Sequence, residues 1–356
     1  MIAFTSGNLL DADVEALVNT VNCVGVMGKG LALQFKQAYP ENFRVYERAC
    51  RAGEVAPGRM LTVPTGRLTG PKLIVNFPTK RHWRGASRME DIESGLVALV
   101  DEVRRLHIRS IAMPPLGCGN GGLDWADVRP RIERALAALE GVRVVIFEPS
   151  GPPAADAMVV ATKKPPMSRG RALLVALLER YALPGYEHTK LEVQKLAYFL
   201  FALGELPKLA YVKHQFGPYA ENLNHVLQAM EGHYLRGYGD RSKARAEITL
   251  LPGAVEAAHA TLADDAAADV AVERVARLIQ GFENPHGLEL LATVHWVATR
   301  EDPAAAADVE QAIAGVARWN ERKRERFRPE HVRKAWRRLR EAGWLPQADA
   351  ALNAPP

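Results

Sequence analysis

One stretch of the chain, residues 18–35, constrains its fold more than any other. An apolar run at 16–18 predicts a buried strand, and Asn19 and Asn22 follow it. Three glycines then fall within six positions before an amphipathic helix begins at Leu31. The backbone N–H groups of such a loop converge on an anion, and the helix dipole favours its charge. Because the stretch has neither G-x-G-x-x-G nor G-K-S/T, it predicts a phosphate-binding loop of another kind, or alternatively an ordinary glycine turn.

A second glycine-rich stretch, residues 113–125, repeats this order of elements. It follows the apolar strand 110–113 and precedes a helix predicted over 125–139. Because the carboxyl ends of strands in an open sheet lie at one edge, two such loops indicate a ligand held from both sides. Residues 78–84 form a basic, aromatic loop that we expect at the same edge.

Length and composition set the broad class of the protein. The 356 residues predict two domains, and 48% hydrophobic residues are ample for a core in each. Three widely spaced cysteines form neither a metal-binding pattern nor a disulfide framework, so we expect a reducing cytoplasm, no metal and no cofactor. We see no signal peptide and no apolar run of membrane-spanning length, so we expect no membrane contact. The net charge of +5 is compatible with a nucleic-acid or acidic partner without requiring one.

Strands alternate with helices over residues 1–150, which predicts an α/β fold. The expected strands are 1–5, 16–19, 59–63, 72–77, 109–113 and 142–148. The expected helices are 31–38, 40–53, 89–106 and 125–139. Several prolines together with alanine, serine and lysine make 151–168 a predicted linker.

Residues 169–350 are predicted to form a second, mostly α-helical domain. Its expected helices cover 171–181 and 189–203, and others begin at residues 220, 254, 271, 288, 306 and 329. The segment 210–219 is expected to be a strand or one arm of a hairpin. The basic run 322–340 is interpreted as a solvated helix face or, alternatively, as a contact for DNA or an acidic partner.

Four motifs in the first domain together carry a resemblance to a known family. They are Gly7-Asn8-Leu9, Val18-Asn19-x-x-Asn22, Gly28-Lys29-Gly30 and Pro115-Leu116-Gly117-Cys118-Gly119. With them, residues 1 to about 149 resemble the macrodomain family of ADP-ribose binders and hydrolases. The resemblance implies a three-layer α/β/α fold with a mixed sheet, and a macrodomain over residues 1–150 that binds ADP-ribose and hydrolyses its linkages.

The form of the first glycine loop narrows this resemblance. Met27-Gly28-Lys29-Gly30-Leu31-Ala32 resembles a subgroup that contains the human terminal ADP-ribose glycohydrolase and certain bacterial antitoxins. Those antitoxins join a macrodomain to a C-terminal domain that binds a DarT-type toxin, an enzyme that ADP-ribosylates thymidine in single-stranded DNA. This chain has the same two-part layout.

The second domain contains two motifs that resemble antitoxin domains of the SocA or Panacea type, which neutralise toxins by direct binding. The motifs are Lys190-Leu191-x-x-Gln194-Lys195-Leu196-Ala197-Tyr198-Phe199 and Phe216-Gly217-Pro218-Tyr219. The alternative is an ordinary amphipathic helix whose apolar residues belong to the core.

The macrodomain resemblance implies a set of ADP-ribose-binding residues. They are Asn8, Leu9, Asn19, Asn22, Gly28, Lys29, Gly30, Leu31, Thr79, Pro115, Leu116, Gly117, Cys118, Gly119 and Asn120. Asn8 stands where the family typically has an Asp that accepts a hydrogen bond from the adenine amino group, and its neutral amide accepts more weakly. Asn22 matches the Asn that touches the distal ribose. The alternatives are a turn residue at Asn8, strand-terminal caps at Asn19 and Asn22, and a solvated charge at Lys29 in place of a phosphate or ribose contact.

Lys80 is the predicted catalytic residue. A lysine attacks a sugar carbon only when neutral, and burial with nearby cations, for which Arg81 and Arg84 are candidates, lowers its pKa from about 10.4. The neutral amine can attack the anomeric carbon of the ring-opened distal ribose to form a Schiff base, or act as an acid or base. Alternatively, Lys80 only steers DNA. His82, Trp83 and Arg84 are predicted to bind DNA by stacking on a flipped or single-stranded base.

One departure from the human relative bears on catalysis. That enzyme has a catalytic Asp soon after its Gly-Cys-Gly motif, where this chain has Asn120-Gly121-Gly122. Asp124 is predicted to cap the helix that begins at Trp125. Loss of activity, or replacement of the acid by a group such as Lys80, would explain the difference equally well. Cys118 has no neighbouring His in the sequence and is predicted to be a packing residue.

The sequence therefore predicts an antitoxin. Its first domain is expected to hydrolyse the N-glycosidic bond of ADP-ribosylated thymidine in DNA, and its second to neutralise a cognate DarT-type toxin. The predicted partners are ADP-ribose, ADP-ribosylated single-stranded DNA and that toxin. The alternatives are hydrolysis of ADP-ribose from acidic protein side chains, and a non-catalytic ADP-ribose reader fused to an interaction domain.

Overall fold

The computed structural model describes residues 1–151, 158–181, 188–238 and 247–346. Two compact units are present, of which the first ends at Lys164 and the second begins at Pro165. This division falls within the predicted linker 151–168. Residues 152–157 of the linker, and 347–350 at the predicted end of the second domain, lie outside the described residues.

Hydrogen bonds assign the described part of the linker to one unit or the other. The backbone N–H of Ala161 donates to the carbonyl of Gln37 at 2.8 Å, within the first unit. The hydroxyl of Tyr234 donates to the carbonyl of Pro165 at 2.7 Å, within the second unit. A cut after Lys164 therefore preserves both hydrogen bonds, whereas a cut near residue 152 would remove Ala161 from the first unit.

The first unit is built on one six-stranded sheet. Its strands are β1 (Ile2–Thr5), β2 (Ala16–Asn22), β3 (Leu61–Pro64), β4 (Leu73–Lys80), β5 (Ser110–Met113) and β6 (Arg143–Phe147). Their order in the sheet is β1-β6-β5-β2-β4-β3. All neighbours are parallel except β3, which runs antiparallel to β4. The predicted mixed sheet is thus confirmed.

Helices cover both faces of this sheet. They are α1 (Gly30–Ala38), α2 (Pro40–Arg51), α3 (Met89–Arg105) and α4 (Trp125–Leu136). Consecutive strand residues point to opposite faces, and Leu17 and Val18 of β2 accordingly enter different apolar cores. Leu17 packs in the core that contains Phe35 of α1. Val18 packs in the core that contains Ile92 of α3 and Ile132 of α4, so the predicted three-layer α/β/α fold is confirmed.

Strands β2 and β4 extend further than predicted, to Asn22 and Lys80. They pair in parallel, with Val21 opposite Pro78 and, after a register shift, Asn22 opposite Lys80. Proline has no N–H to donate to a ladder and is typical of a strand end, which is why the sequence predicted a loop from this point. The shift lets pairing resume beyond Pro78. Thr79 and Lys80 therefore lie on the sheet instead of in the predicted loop.

The second unit is mostly helical, as predicted. Its helices are α5 (Arg169–Tyr181), α6 (Lys190–Ala202), α7 (Leu223–Met230), α8 (Ala254–Leu262), α9 (Ala266–Ile279), α10 (Pro285–Trp296), α11 (Ala304–Ala307), α12 (Val309–Trp319), α13 (Glu321–Arg326) and α14 (Pro329–Glu341). Helix α9 begins before the predicted residue 271 because Asp265 caps it, accepting a hydrogen bond from the N–H of Ala268 at 3.0 Å. In the described parts of the chain, no helix is both long and apolar enough to cross a membrane.

In the described part of the second unit, five short strands accompany these helices. They are β7 (His188–Thr189), β8 (Tyr211–His214), β9 (Gly217–Ala220), β10 (Leu235–Arg236) and β11 (Glu247–Leu250). Strands β8 and β9 form a complete hairpin where the sequence predicted a strand or one hairpin arm. The helix predicted to begin at residue 220 begins three residues later, because residue 220 ends β9. The other three form a small antiparallel sheet, β10-β11-β7, that the sequence did not predict. Strands of two to four residues are too short to show a periodic pattern.

The two motifs of the second domain lie in contact with each other. The side-chain amide of Gln194 in α6 exchanges hydrogen bonds of 3.0 and 3.1 Å with the backbone of Ala220 in β9. The ammonium of the fully buried Lys195 donates to the carbonyl of Pro218 at 2.6 Å. These bonds fasten the hairpin to α6 and give the motifs a structural role.

The basic run 322–340 is not only a solvated helix face, because its first two cations bind a buried carboxylate. The fully buried Lys323 donates to the carboxylate of Glu289 in α10 at 2.7 Å and to the hydroxyl of Thr293 at 3.0 Å. Arg322 donates to the same carboxylate at 2.6 Å. Burial lowers the pKa of Lys323 to about 8, against the attraction of Glu289. Later cations of the run are exposed, among them Arg333, which pairs with Glu310 at 2.7 Å.

Substitution of Glu289 should destabilise the second unit. Glu289→Gln removes the counter-ion of the buried Lys323, which must then either hold an uncompensated charge in the core or give up its proton, and breaking a buried ion pair typically costs about 3–5 kcal/mol. We expect a corresponding fall in the free energy of unfolding, measured by urea denaturation of the full chain. The matched control is Glu310→Gln, which removes an exposed partner of Arg333 and should cost less than about 1 kcal/mol. Equal losses of unfolding free energy in the two variants would contradict a stabilising role for the buried pair of Glu289 and Lys323.

Candidate functional site

The carboxyl ends of three adjacent strands define the candidate site. Strand β2 leads into the first glycine loop (residues 23–30), β5 leads into the second glycine loop (residues 117–122), and β4 ends at Lys80. A Cβ added at Gly30 would lie 3.1 Å from Nδ2 of Asn120, so the two loops touch. The ammonium of Lys80 donates to the backbone carbonyl of Asn120. The loops and the lysine thus meet at one edge of the sheet.

Asn22 shapes the first glycine loop from within. Its Oδ1 accepts hydrogen bonds from the N–H of Val24 at 3.0 Å and of Val26 at 3.3 Å, and from the hydroxyl of Tyr46 at 3.1 Å. Its Nδ2 donates to the carbonyl of Val26. These hydrogen bonds favour the alternative in which Asn22 caps the end of β2. The predicted contact with the ribose would have to compete with them for the Asn22 amide. An Asn that precedes glycines at a strand end is the sequence signal for such a turn.

Asn19 lies in the core of the sheet. It is fully buried, and its Nδ2 donates to Oδ1 of Asn76 on β4 at 2.9 Å. Asn76 in turn donates to Oδ1 of Asn42 in α2 at 2.7 Å. These bonds favour a structural role for the Asn19 amide nitrogen, while the buried Oδ1 of Asn19 has no hydrogen-bond partner among the described residues, and the ligand contact stays a prediction. Thr79 is likewise buried, with its hydroxyl directed to the carbonyl of Val21 at 3.5 Å.

The second glycine loop combines a closely packed base with an open tip. At its base, a Cβ on Gly121 would lie 2.2 Å from the carbonyl oxygen of Gly117 and from Oγ of Ser87. The N–H of Ser87 donates to the carbonyl of Gly121 at 2.9 Å, a support that the sequence did not reveal. At the tip, Gly119 and Asn120 are exposed, and a Cβ on Gly119 would meet nothing within 4 Å. The tip is therefore the part of this loop that a ligand can approach.

Cys118 behaves as the sequence predicted for a packing residue. Its thiol donates to the carbonyl of Leu116 at 3.4 Å, and burial raises its pKa to about 11. A thiol that stays protonated at neutral pH is not a nucleophile. Leu116 is fully buried and Pro115 half-buried, so these two residues support the loop from beneath.

Asn8 and its neighbour occupy the turn after β1. The Oδ1 of Asn8 accepts a hydrogen bond from the N–H of Leu10 at 3.2 Å, which caps a short 3₁₀ helix, Leu9–Asp11. Leu9 is buried in the core beside α1. Among the residues that the structure describes, no group forms a hydrogen bond with the buried Nδ2 of Asn8. The oxygen that was predicted to accept from adenine is thus already engaged, and the free group of this amide is a donor.

The surroundings of Lys80 lower its pKa, as expected for an activated amine, but the predicted cations are not the cause. Its pKa lies below the ordinary value, first because of burial and second because of the charge of Lys29. Arg81 is instead bound to the buried carboxylate of Asp91, with Nη2 and Oδ1 3.0 Å apart. Arg84 places its guanidinium 4.5 Å from the centre of the Trp83 ring. The expectation that Arg81 and Arg84 act on Lys80 is therefore wrong, and Lys29 takes that place.

An aromatic surface follows Lys80 in the chain. The rings of His82 and Trp83 stack with centroids 5.6 Å apart and an interplanar angle of 27°. Trp83 is 39% exposed, and the guanidinium of Arg84 lies against its ring. Stacked aromatic rings with a cation are the platform on which proteins hold unpaired bases. The structure thus brings together the three residues predicted to contact DNA.

Asp124 caps α4, as the sequence predicted. Its carboxylate accepts a hydrogen bond from the N–H of Ala126 at 2.9 Å. An acidic side chain at a helix N-terminus interacts favourably with the helix dipole. The acid that follows the second glycine loop therefore has a structural explanation.

Comparisons with known proteins agree with this geometry. The family model of the Macro domain matches residues 18–132. A DNA ADP-ribosyl glycohydrolase from Thermus aquaticus is 50% identical over 323 residues, 91% of this chain and 89% of that protein. A DNA ADP-ribosyl transferase–DNA ADP-ribosyl glycohydrolase fusion protein from Thermosipho africanus is 37% identical over 42% of each chain.

This chain is also similar to a solved structure. The macrodomain of Mycobacterium tuberculosis DarG is 59% identical, with a TM-score of 0.42 over 42% of this chain and 99% of that one. Half of the residues are shared with the Thermus protein along nearly the whole length of both chains. The chain therefore belongs to the macrodomain family and, within it, to the DNA ADP-ribosyl glycohydrolases.

Proposed function

We propose that the first unit removes ADP-ribose from thymidine in single-stranded DNA by hydrolysing the N-glycosidic bond. Membership of the DNA ADP-ribosyl glycohydrolases supports this reaction. The observation that carries the site assignment is the meeting of both glycine loops and Lys80 at one sheet edge. The loop N–H groups at the start of α1 suit the pyrophosphate, and the exposed tip at Gly119 suits the distal ribose.

In this proposal Lys80 supplies the chemistry. Its neutral amine forms a bond to the anomeric carbon of the ring-opened distal ribose. The bond from that carbon to the thymine nitrogen breaks, and this nitrogen, which stays in the DNA strand, takes up the proton that the attacking amine loses. Water then hydrolyses the resulting imine, which releases ADP-ribose and regenerates the amine. The lowered pKa of Lys80 supports this role because only the unprotonated amine is a nucleophile.

The stacked surface of His82, Trp83 and Arg84 is proposed to hold the DNA strand beside the modified base. Base stacking on an exposed aromatic ring tolerates any sequence, and an adjacent cation favours the phosphate backbone. The position of these residues immediately after Lys80 supports the assignment.

The second unit is proposed to bind and neutralise a cognate DarT-type toxin. The Thermosipho relative carries a DNA ADP-ribosyl transferase and a glycohydrolase in one chain, which supports a functional pairing of the two activities. We also propose a cytoplasmic location, which the three free thiols of Cys23, Cys50 and Cys118 favour.

The first prediction concerns ligand binding. Residues 1–164 should fold alone and bind ADP-ribose, because both loops and Ala161 lie within them. Gly119→Glu should abolish binding by placing an anion where phosphate or ribose sits, whereas Gly119→Ala should bind, since its Cβ meets open space. Calorimetry with millimolar ADP-ribose tests both. Absence of binding by the unmodified fragment would refute the assignment.

The second prediction separates chemistry from steering at Lys80. Lys80→Ala should leave ADP-ribose affinity within roughly tenfold, since backbone groups hold the pyrophosphate. Release of ADP-ribose from modified oligonucleotide should fall by about a hundredfold or more. Lys80→Arg should be as inactive as Lys80→Ala, because a guanidinium stays protonated.

Controls distinguish the alternatives to this prediction. An active Lys80→Arg enzyme whose advantage over Lys80→Ala disappears at high salt would indicate DNA steering. Borohydride treatment during turnover should leave a covalent adduct on Lys80.

Modified protein substrates, offered in parallel, test hydrolysis at acidic side chains. An enzyme that binds ADP-ribose and releases none from either substrate would be a reader.

The third prediction concerns division of labour. A fragment beginning at Pro165 should capture the cognate toxin in a pull-down and lower its ADP-ribosylation of single-stranded DNA. Residues 1–164 should do neither and should only reverse the modification. Capture by the first fragment alone would assign toxin binding to the macrodomain.

A further inference from the structure

The loop that carries the stacked aromatic surface, residues 81–87, is fastened at both ends. At its start, the guanidinium of Arg81 donates to the carboxylate of Asp91 in α3, through Nε at 3.2 Å and through Nη2 at 3.0 Å. At its end, the N–H of Ser87 donates to the carbonyl of Gly121 in the second glycine loop at 2.9 Å. Loop 81–87 is therefore attached to a helix on one side and to the candidate site on the other.

Within loop 81–87, His82 organises a turn. Its Nδ1 accepts a hydrogen bond from the N–H of Arg84 at 3.2 Å, and its carbonyl accepts one from the N–H of Gly85 at 3.0 Å. The ring of His82 stacks on Trp83, and the guanidinium of Arg84 lies against the same indole. The three groups proposed to contact DNA thus share one turn, and the position of this turn follows from the backbone at Arg81.

The two partners of the ion pair between Arg81 and Asp91 differ in exposure. The side chain of Asp91 is 5% exposed, whereas that of Arg81 is 62% exposed. A buried carboxylate depends on its counter-ion, while water can solvate an exposed guanidinium. Two parallel N–H···O bonds also fix the orientation of the guanidinium plane. Asp91 therefore determines where the Arg81 side chain lies, and with it the path of the chain as it leaves Lys80.

We propose that Asp91 is a positioning residue for the DNA strand. Acting through Arg81, it holds the stacked rings beside Lys80, so that a strand bound on the rings presents its modified base to the amine. This inference rests on the proposed DNA contact of residues 82–84. It also gives different roles to two arginines of one basic stretch, because Arg81 pairs inside the protein and Arg84 is left for the phosphate backbone.

The first test measures loop 81–87 without any substrate. Hydrogen–deuterium exchange of the full chain is followed by mass spectrometry on the peptide that contains residues 82–87. In Asp91→Asn the side chain loses its charge, and one of its two acceptor atoms becomes a donor that faces the guanidinium. Exchange of this peptide should therefore become roughly threefold to tenfold faster.

Glu93→Gln is the matched control for this measurement. It removes a carboxylate from the same helix, but Glu93 pairs with Arg131 of α4 at 2.7 Å instead of with loop 81–87. Exchange of the loop peptide in this variant should equal that of the unmodified chain. Equal exchange in Asp91→Asn and the control would overturn the proposal.

The second test uses ADP-ribosylated oligonucleotide as the substrate of the full chain. In Asp91→Asn the KM should rise roughly fivefold to thirtyfold, with kcat changed by less than about threefold, because the strand is held less well while Lys80 keeps its own contacts. ADP-ribose affinity should also change by less than about threefold. A variant that loses kcat and ADP-ribose affinity together would make Asp91 a general stabilising residue and overturn the proposal.

A double variant tests whether Asp91 acts through Arg81. Arg81→Gln should raise the KM as much as Asp91→Asn, and the two substitutions together should raise it no further, because each removes the same ion pair. If Arg81 bound the DNA backbone directly, Asp91→Asn would free this cation and lower the KM, which would overturn the proposal. An unmodified enzyme that releases no ADP-ribose would refute the proposed reaction instead, and the exchange of the loop peptide would still decide the role of the ion pair.

Discussion

The parallel pairing of β2 with β4 is the interaction on which the candidate site depends. After Pro78 the ladder shifts its register and continues, and Asn22 comes to lie opposite Lys80. Without this continuation Lys80 would be part of an exposed loop, and its ammonium would not be held against the second glycine loop. The sheet therefore converts a basic surface residue into a half-buried one with a lowered pKa.

Hydrogen bonds between buried amide side chains join the elements that carry the site. The network of Asn19, Asn76 and Asn42 joins β2, β4 and α2, and Asn22 joins the first glycine loop to Tyr46 of α2. Burial of an amide is costly unless it is hydrogen-bonded, so each of these side chains favours one arrangement of the elements it joins. A loop that must present several N–H groups to one anion benefits from this fixed geometry, because little ordering remains to be done on binding.

In the second unit, buried charged groups likewise join different elements of the fold. A run that is strongly basic in the sequence contributes two cations to the buried carboxylate of Glu289 and exposes others on α14. The motif residues Gln194 and Lys195 fasten the hairpin to α6 in the same core region. The motif residues on which the second resemblance rests therefore help to hold the unit together.

The sequence by itself determined the fold class of both units, the two glycine loops, the cap at Asp124 and the packing role of Cys118, because these depend on local patterns and on the chemistry of single residues. Only the tertiary structure decided the roles of the asparagines and the charged groups. Asn19 became part of a core network, Arg81 was drawn to Asp91, and the Lys80 ammonium came to donate to the carbonyl of Asn120. Those outcomes depend on which strands are adjacent and on their register, and electrostatic effects depend on distances through space that a linear pattern does not contain.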